Sequence, residues 1–306
     1  MALTLAEASK LSNDILTQGV IETVVKDSPV LQNLPFVEIT GNGLTYNQEK
    51  TLPDISFYGV GDDWDESTPE FQQLTATLKI LGGDADVDNF LKSTRSNIQD
   101  LQVAVIELKA KALRHRFEEA FIYGDSATDP NEFDGLAKLT GTATGGSQVI
   151  AAGETGDSLT LDMLDEVIDA VKGGKPDLLL MSRRSRRKIN ALVRAAGGLM
   201  ETDRDRWGNF IQLWNGVPIA VSDWVKDTHA LEDSVETAFT GGESSTIYAL
   251  QFGEGALCGL TAPGFVQVEA VGALETRDAT RTRVKWYCAL ALFSALKAAA
   301  LIGVQN

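Results

Sequence analysis

The chain has little of what a metalloenzyme, a secreted protein or a membrane protein needs. Its 306 residues include two histidines and two cysteines, too few for a His/Cys metal cluster or an HExxH helix. Cys258 and Cys288 lie in apolar stretches without paired spacing, so they give no disulfide framework and read as buried thiols. No apolar run reaches the ~20 residues that cross a bilayer, and Lys297 interrupts the nearest, Trp286 to Val304. The first residues lack the basic start and apolar block of a secretory signal. No Gly-x-Ser-x-Gly elbow and no Gly-rich phosphate loop ending in Lys occurs. Gly253 to Gly259 nearly matches a dinucleotide fingerprint, but its last glycine is one position late and Thr261-Ala262-Pro263-Gly264 stands where a helix should begin. No catalytic residue, cofactor or metal ligand is assigned. Positive charge is scarce too: a formal net charge of −16 argues against a protein that wraps nucleic acid by neutralising it.

What is present is a folded composition, 43% apolar with 23% charged residues, long enough for one large domain or two ordinary ones. Its most informative stretch runs from Asn97 to Leu139. Ile98, Leu101, Val105, Leu108 and Ala112 recur at three- and four-residue spacing, with Ile106, Leu113, Phe117 and Phe121 widening the apolar side. No Gly or Pro interrupts Asn97 to Tyr123, and Gly124 stands where a helix C-cap belongs. The spacing predicts one helix roughly 40 Å long, a beam suited to an architectural role.

Before the beam, Leu5, Leu11, Ile15 and Leu16 suggest a short amphipathic helix. Ser28 to Phe36 reads as an extended segment with two prolines, and Phe36 to Thr40 as a strand ending in the turn Gly41-Asn42-Gly43. Leu44–Glu49 and Glu70–Leu81 read as the two strands of a long excursion. Between them lie Phe57, Tyr58 and an acidic tip of Asp62, Asp63, Trp64, Asp65 and Glu66. A connection of this length is unusual inside a compact domain, so its aromatic residues are expected to lie on a neighbour, the alternative being an excursion folded back on its own domain. After the beam, residues 140–157 read as a Gly/Thr/Ala connector. Leu161 to Val171 gives a helix, Asp177–Ser182 an apolar strand, Ser185 to Ala196 another helix, and Phe210–Trp214 with Val217–Val221 a hairpin around Asn215-Gly216. Strands follow at Ser245–Phe252, Leu257–Leu260, Phe265–Val271 and Thr280–Phe293, and Ala298–Val304 reads as a buried strand or helix end.

The densest charge is the block Arg183, Arg184, Arg186, Arg187 and Lys188, with Arg194 one to two turns on. No aromatic is interleaved for base stacking. In so acidic a chain the block suits pairing with acidic segments of neighbouring copies, such as Asp62 to Glu66, with a plain solvated surface and a nucleic-acid patch as the other readings. His115, in a charged part of the beam, reads as a solvent or interface residue.

Taken in order, these parts resemble the major capsid proteins of tailed bacteriophages, the Hong Kong 97 type of shell fold. The motifs that carry the resemblance are Tyr123-Gly124-Asp125 through Phe133-Asp134-Gly135-Leu136, and Asn215-Gly216-Val217-Pro218-Ile219. The resemblance implies an α+β fold with a long spine helix. It divides the chain into an N-terminal arm at 1–43, an extended β-hairpin loop at 44–82 and a peripheral domain with the spine helix at 83–140. An axial domain at 141–254 follows, then returning peripheral strands at 255–297 and a C-terminal segment at 298–306 that rejoins the axial domain. It implies a non-enzyme whose identical subunits form pentamers and hexamers of an icosahedral shell. That shell is assembled in the bacterial host cytoplasm around double-stranded DNA held without sequence-specific contacts, and no membrane is involved. Scaffolding, portal and decoration functions are expected of separate proteins. Lys50 lies in the excursion, but no matching Asn and glutamate can be placed, so no covalent cross-link is expected. Three other readings stay open: an encapsulin-like compartment shell, an α/β enzyme with an active-site loop after Asp177–Ser182, and a basic-helix nucleic-acid binder.

Overall fold

The computed structural model describes residues 3–4, 19–20, 24, 28–51, 53–60, 62–90, 93, 101–142, 146, 148–153, 156–204, 208, 210–227 and 244–305. In chain order its elements begin with β1 (Leu3–Thr4), α1 (Pro29–Asn33), β2 (Pro35–Glu38), β3 (Gly43–Thr51), β4 (Glu70–Thr77), β5 (Lys79–Asp88), α2 (Leu101–Tyr123) and α3 (Leu136–Thr140). There follow β6 (Val149–Ala151), β7 (Asp157–Ser158), α4 (Leu161–Ala170), β8 (Leu178–Met181), α5 (Arg183–Ala195), β9 (Glu201–Arg204), β10 (Phe210–Trp214) and β11 (Val217–Val221). The last are β12 (Ser245–Leu250), β13 (Leu257–Ala273), β14 (Ala279–Leu292) and β15 (Ala298–Gln305). The amphipathic segment read at Leu5 to Leu16 and the first turn of the beam at 97–100 lie outside the described residues.

Strands that read as unbroken apolar runs occupy the middle of a sheet with both faces covered. Its order is β6-β15-β12-β8-β11-β10-β9, with β7 paired to β15. Leu178, Leu180, Tyr248, Leu250, Ala298 and Ala300 face one core, shared with α2 and β14. The alternate residues Leu179, Met181, Ile247, Ala249, Ala299 and Leu301 face a second, roofed by α4 and α5. A second sheet, β1-β2-β13-β14-β5, holds the first core from the other side. At its centre Trp286 stacks on Phe117 at 4.7 Å and meets Phe36 at 5.5 Å, and its indole N–H donates to Thr261 Oγ1 at 3.1 Å. The excursion is a separate two-stranded ribbon of β3 and β4.

The structure departs from the sequence reading at several places. The spine helix is there, 23 residues long, but it buries the stripe Ile106, Ala110, Leu113, Phe117 and Phe121. Leu108, placed on the main apolar stripe from spacing, is 64% exposed, and Val103 is exposed as well. Gly124 ends the helix for closeness rather than for a positive φ, since a Cβ there would lie 2.3 Å from the Phe133 carbonyl oxygen. Ser28 to Phe36 is not extended throughout. The Ser28 hydroxyl accepts from Leu31 N at 3.3 Å with Pro29 at the first helical position, so Ser-Pro starts α1.

The run Glu70 to Leu81 is two strands: Leu78 N donates to Asn42 O at 2.8 Å, and from Lys79 onward the chain leaves the ribbon to pair with β14. The connector at 140–157 contains β6, parallel to β15 in a register too short to show any periodicity. Leu257–Leu260 and Phe265–Val271 are one strand carrying a bulge, where Gly264 and Phe265 take φ of 94° and 50°. The second helix of the later module starts at Arg183, not Ser185, because Ser182 caps it. The Asn215-Gly216 hairpin forms as expected, with φ of 49° and 76°.

Candidate inter-subunit surfaces

Two surfaces carry the candidate residues, and each is built by a separate part of the chain. The first is the loop between β3 and β4. The described residues 53–60 and 62–69 form no ladder and hold themselves by local bonds: Asp54 N to Ser67 Oγ at 2.9 Å, Gly59 N to Asp62 Oδ2 at 2.6 Å and Asp65 N to Tyr58 Oη at 3.2 Å. Tyr58 and Trp64 stack at 4.5 Å, so the loop tip is a small aromatic knot. Phe57 is fully exposed and Trp64 is 80% exposed, and Asp62, Asp63, Asp65 and Glu66 point to solvent around them. Ile55 and Val60, which the sequence reading did not single out, are as exposed as Phe57. Their signal was available: apolar residues in a segment with neither helical nor strand periodicity. Exposed apolar side chains clustered on one protrusion mark an interaction surface.

The second surface is α5. The Ser182 hydroxyl accepts from Ser185 N at 3.1 Å and fixes the helix start. Ser185, Ile189 and Val193 face the sheet. That leaves Arg183, Arg186, Arg187 and Arg194 exposed and Arg184 and Lys188 half-buried. Arg183 is held by Asp223 through a two-pronged ion pair, Nη2 to Oδ2 at 2.7 Å and Nε to Oδ1. The other arginines border a groove of about 650 Å³ with Val193, Leu199 and Met200, and Leu199 at its rim is 94% exposed. No acidic residue stands in the first turn, so the cations face the positive end of their own helix dipole, an arrangement that disfavours the isolated helix.

Between the two cores, the segment after β11 ties α5 to the spine. Trp224 meets His115 edge-on at 5.8 Å, and Lys226 N donates to Tyr123 Oη at 3.1 Å with its ammonium over the Tyr123 ring. His115 is exposed, in contact with this segment. Beneath it Glu118 is buried and its carboxyl is pushed above the usual range, mainly by burial, against an opposing hydrogen bond from Ser28. The turn after the spine is locked by Lys138, whose ammonium reaches Asp125 at 2.6 Å and Asp134 at 2.9 Å. Lys138, Thr128 and the Ala127 amide together hold the Asp125 carboxyl well below the usual range.

Gly253 to Gly259 forms a turn leading into β13 with no helix after it, so the phosphate geometry of a dinucleotide site is missing there. Cys258 and Cys288 are free and buried, and burial pushes the Cys258 thiol up to about 12. Among the described residues no group of His, Cys, Asp and Glu could hold a metal ion, and no helix is long and apolar enough to cross a membrane.

Solved structures show where this architecture belongs. The encapsulin of the holo-SrpI complex from Synechococcus elongatus PCC 7942 superposes with a TM-score of 0.68 at 18% identity, over 90% of this chain and 87% of that one. The capsid of a native GTA particle gives 0.63 at 14% identity, over 92% and 91%. Mycobacterium phage Bobi gives 0.60 at 17% identity, with both chains covered in full. The fold is that of proteins that form closed shells. More particularly, it is the Hong Kong 97-type capsid fold that the order of parts resembles. A family model described as Major capsid protein GP7 matches residues 12–161, just under half of the chain. No curated protein matches the sequence.

Proposed function

We propose that this chain is the major head protein of a tailed phage, whose copies close into an icosahedral shell around a double-stranded DNA genome. The match of residues 12–161 to a major capsid family carries this reading, and the likeness of fold over the whole chain supports it. In this reading the chain is structural rather than enzymatic and belongs to the virion. Identical subunits meet in pentamers and hexamers after assembly in the host cytoplasm. Scaffolding, portal and decoration functions reside in separate proteins, and no covalent link joins the subunits.

The chain divides into the arm at 1–43, the loop at 44–82, the peripheral parts at 83–140 and 255–297, and the axial parts at 141–254 and 298–306. Although counted with the arm, Val20, Val24, Val30, Leu31, Leu34 and Phe36 are buried in the chain's own core, so this part of the arm packs on its own subunit. The loop residues Phe57, Tyr58, Asp62, Asp63, Trp64, Asp65 and Glu66 and the cations Arg183, Arg184, Arg186, Arg187 and Lys188 are contacts between subunits. Packaged DNA is confined rather than gripped, consistent with a net charge of −16.

Electron microscopy of the purified chain tests the reading: closed spheres are expected, and a monomer or small oligomer under all assembly conditions would overturn it. A shell around protein cargo is the second reading, favoured by the encapsulin superposition. Nuclease-protected DNA in particles isolated from phage-producing cells distinguishes the two, since a cargo shell would contain a co-purifying protein instead.

A further inference from the structure

We propose that the basic flank of α5 is covered, in the assembled ring, by the acidic stripe of α4 from the next copy of the chain. The proposal rests on the shell reading and names the partner of one of its surfaces. Both helices lie on the same face of the axial sheet. In α4, Leu164, Val167 and Ile168 face inward, which turns Asp162, Glu166 and Asp169 outward at four- and three-residue spacing. No Lys or Arg occurs between Leu161 and Val171. Asp165 is spoken for, accepting from Trp214 Nε1 at 2.8 Å and Asn215 Nδ2 at 2.7 Å. Among the described residues the carboxylates of Asp162, Glu166 and Asp169 have no ion-pair partner, and neither do the side chains of Arg186, Arg187 and Lys188.

Two observations say that these charges await an outside partner. The α5 helix is charged against its own dipole, with cations gathered at its N-terminus, whereas the end of α4 is already met by Lys172, whose ammonium donates to the Asp169 carbonyl at 3.0 Å. Covering the N-terminus of α5 with negative charge removes that cost. The spans also match, since Asp162 to Asp169 and Arg187 to Arg194 each cover about 10 Å of helix axis. The loop tip at 62–66 is the other acidic candidate, and it fits less well. It presents Ile55, Phe57, Val60 and Trp64, which need an apolar receiver, and Asp62 already accepts from Gly59 N. A contact between two different patches of identical copies is head-to-tail, the kind that closes into rings.

Charge exchange tests this. Arg186→Glu/Arg187→Glu and Glu166→Lys/Asp169→Lys should each lower shell yield by about tenfold or more while keeping a cooperative thermal transition, and the four changes together should restore it. Should a reversal lose that transition, Arg186→Gln/Arg187→Gln and Glu166→Gln/Asp169→Gln replace it. The combined loss should then be no greater than that of one pair. The contact is overturned if either pair leaves shell yield unchanged or if the combination is not restored. It is also overturned if Asp62→Lys/Asp63→Lys restores assembly instead, or if the arginine reversals reduce only DNA retention. If the wild-type chain forms no shells, the shell reading falls and takes the contact with it. If wild-type shells form and the exchange fails, the contact falls alone.

Discussion

A single buried carboxyl shows how packing sets chemistry in this chain. Glu118 lies on the spine helix under Ser28, and burial is the largest influence on its pKa, raising it. The folded protein therefore keeps a proton that the unfolded chain has released, between the ordinary carboxylate range and the raised value. Stability falls as pH rises through that window and stays lower above it. Glu118→Gln should remove this dependence and raise the thermal midpoint at neutral pH. A lower midpoint at pH 7 would show instead that Arg114 and His115 require the charge. Asp125 works in the opposite sense: its depressed pKa adds stability above the ordinary range and loses it as acid titrates the folded carboxylate. Close contact is equally decisive at Gly259, where an added Cβ would lie 2.4 Å from the Phe36 ring. Gly259→Ala should cost about 1–3 kcal/mol in denaturant unfolding, the usual cost of overpacking. Neither residue was legible in the sequence. A buried Glu looks like any surface Glu until the helix is oriented, and a strand glycine gives no hint of the ring opposite.

The spine helix explains why element type was easier to read than orientation. An uninterrupted run from Leu101 to Tyr123 announces a helix whatever its surroundings. Its apolar residues are spread around much of the circumference, however, so spacing alone offered two stripes. Leu108 faces solvent, whereas Ile106 faces the core. Ile106→Ala should therefore destabilise the subunit by ~2–5 kcal/mol, whereas Leu108→Ala should stay within about 0.5 kcal/mol. Its effect should appear in shell yield, because an apolar residue left outside on a beam is available to a neighbour. Equal losses of stability would show that both stripes are internal. The same limit blurred the excursion. Glu70 to Leu81 alternates as one strand, and only the partner strands reveal that it changes sheets at Leu78. Features set by local chemistry were read well: the Asn215-Gly216 turn, the helix at Leu161 and the apolar strand before Ser182. Those set by distant partners, such as the parallel pairing of β6, were not. Both candidate surfaces were legible as composition, an aromatic acidic loop and an arginine block. The groove beside α5 and the exposure of Leu199 needed the fold.

Within one copy the two cores are well filled, yet the ribbon loop shares none of that stability. Its stack of Tyr58 on Trp64 and its few local hydrogen bonds are all exposed, so it can open without unfolding the sheets beneath it. A segment of this kind is cut readily by proteases when free and protected when covered. No Lys or Arg lies between Pro53 and Glu70, so trypsin is blind to the loop. Chymotrypsin can cut at Phe57, Tyr58 or Trp64. In dissociated subunits it should cleave there before anywhere else, leaving a nicked chain that still unfolds cooperatively. In closed shells the same cleavage should slow by about tenfold or more if the loop lies on a neighbour, because opening must then break intersubunit contacts as well. Equal rates in both states would mean that the loop stays uncovered after assembly. Its exposed Phe57 and Trp64 would then need a partner other than a second copy of the chain.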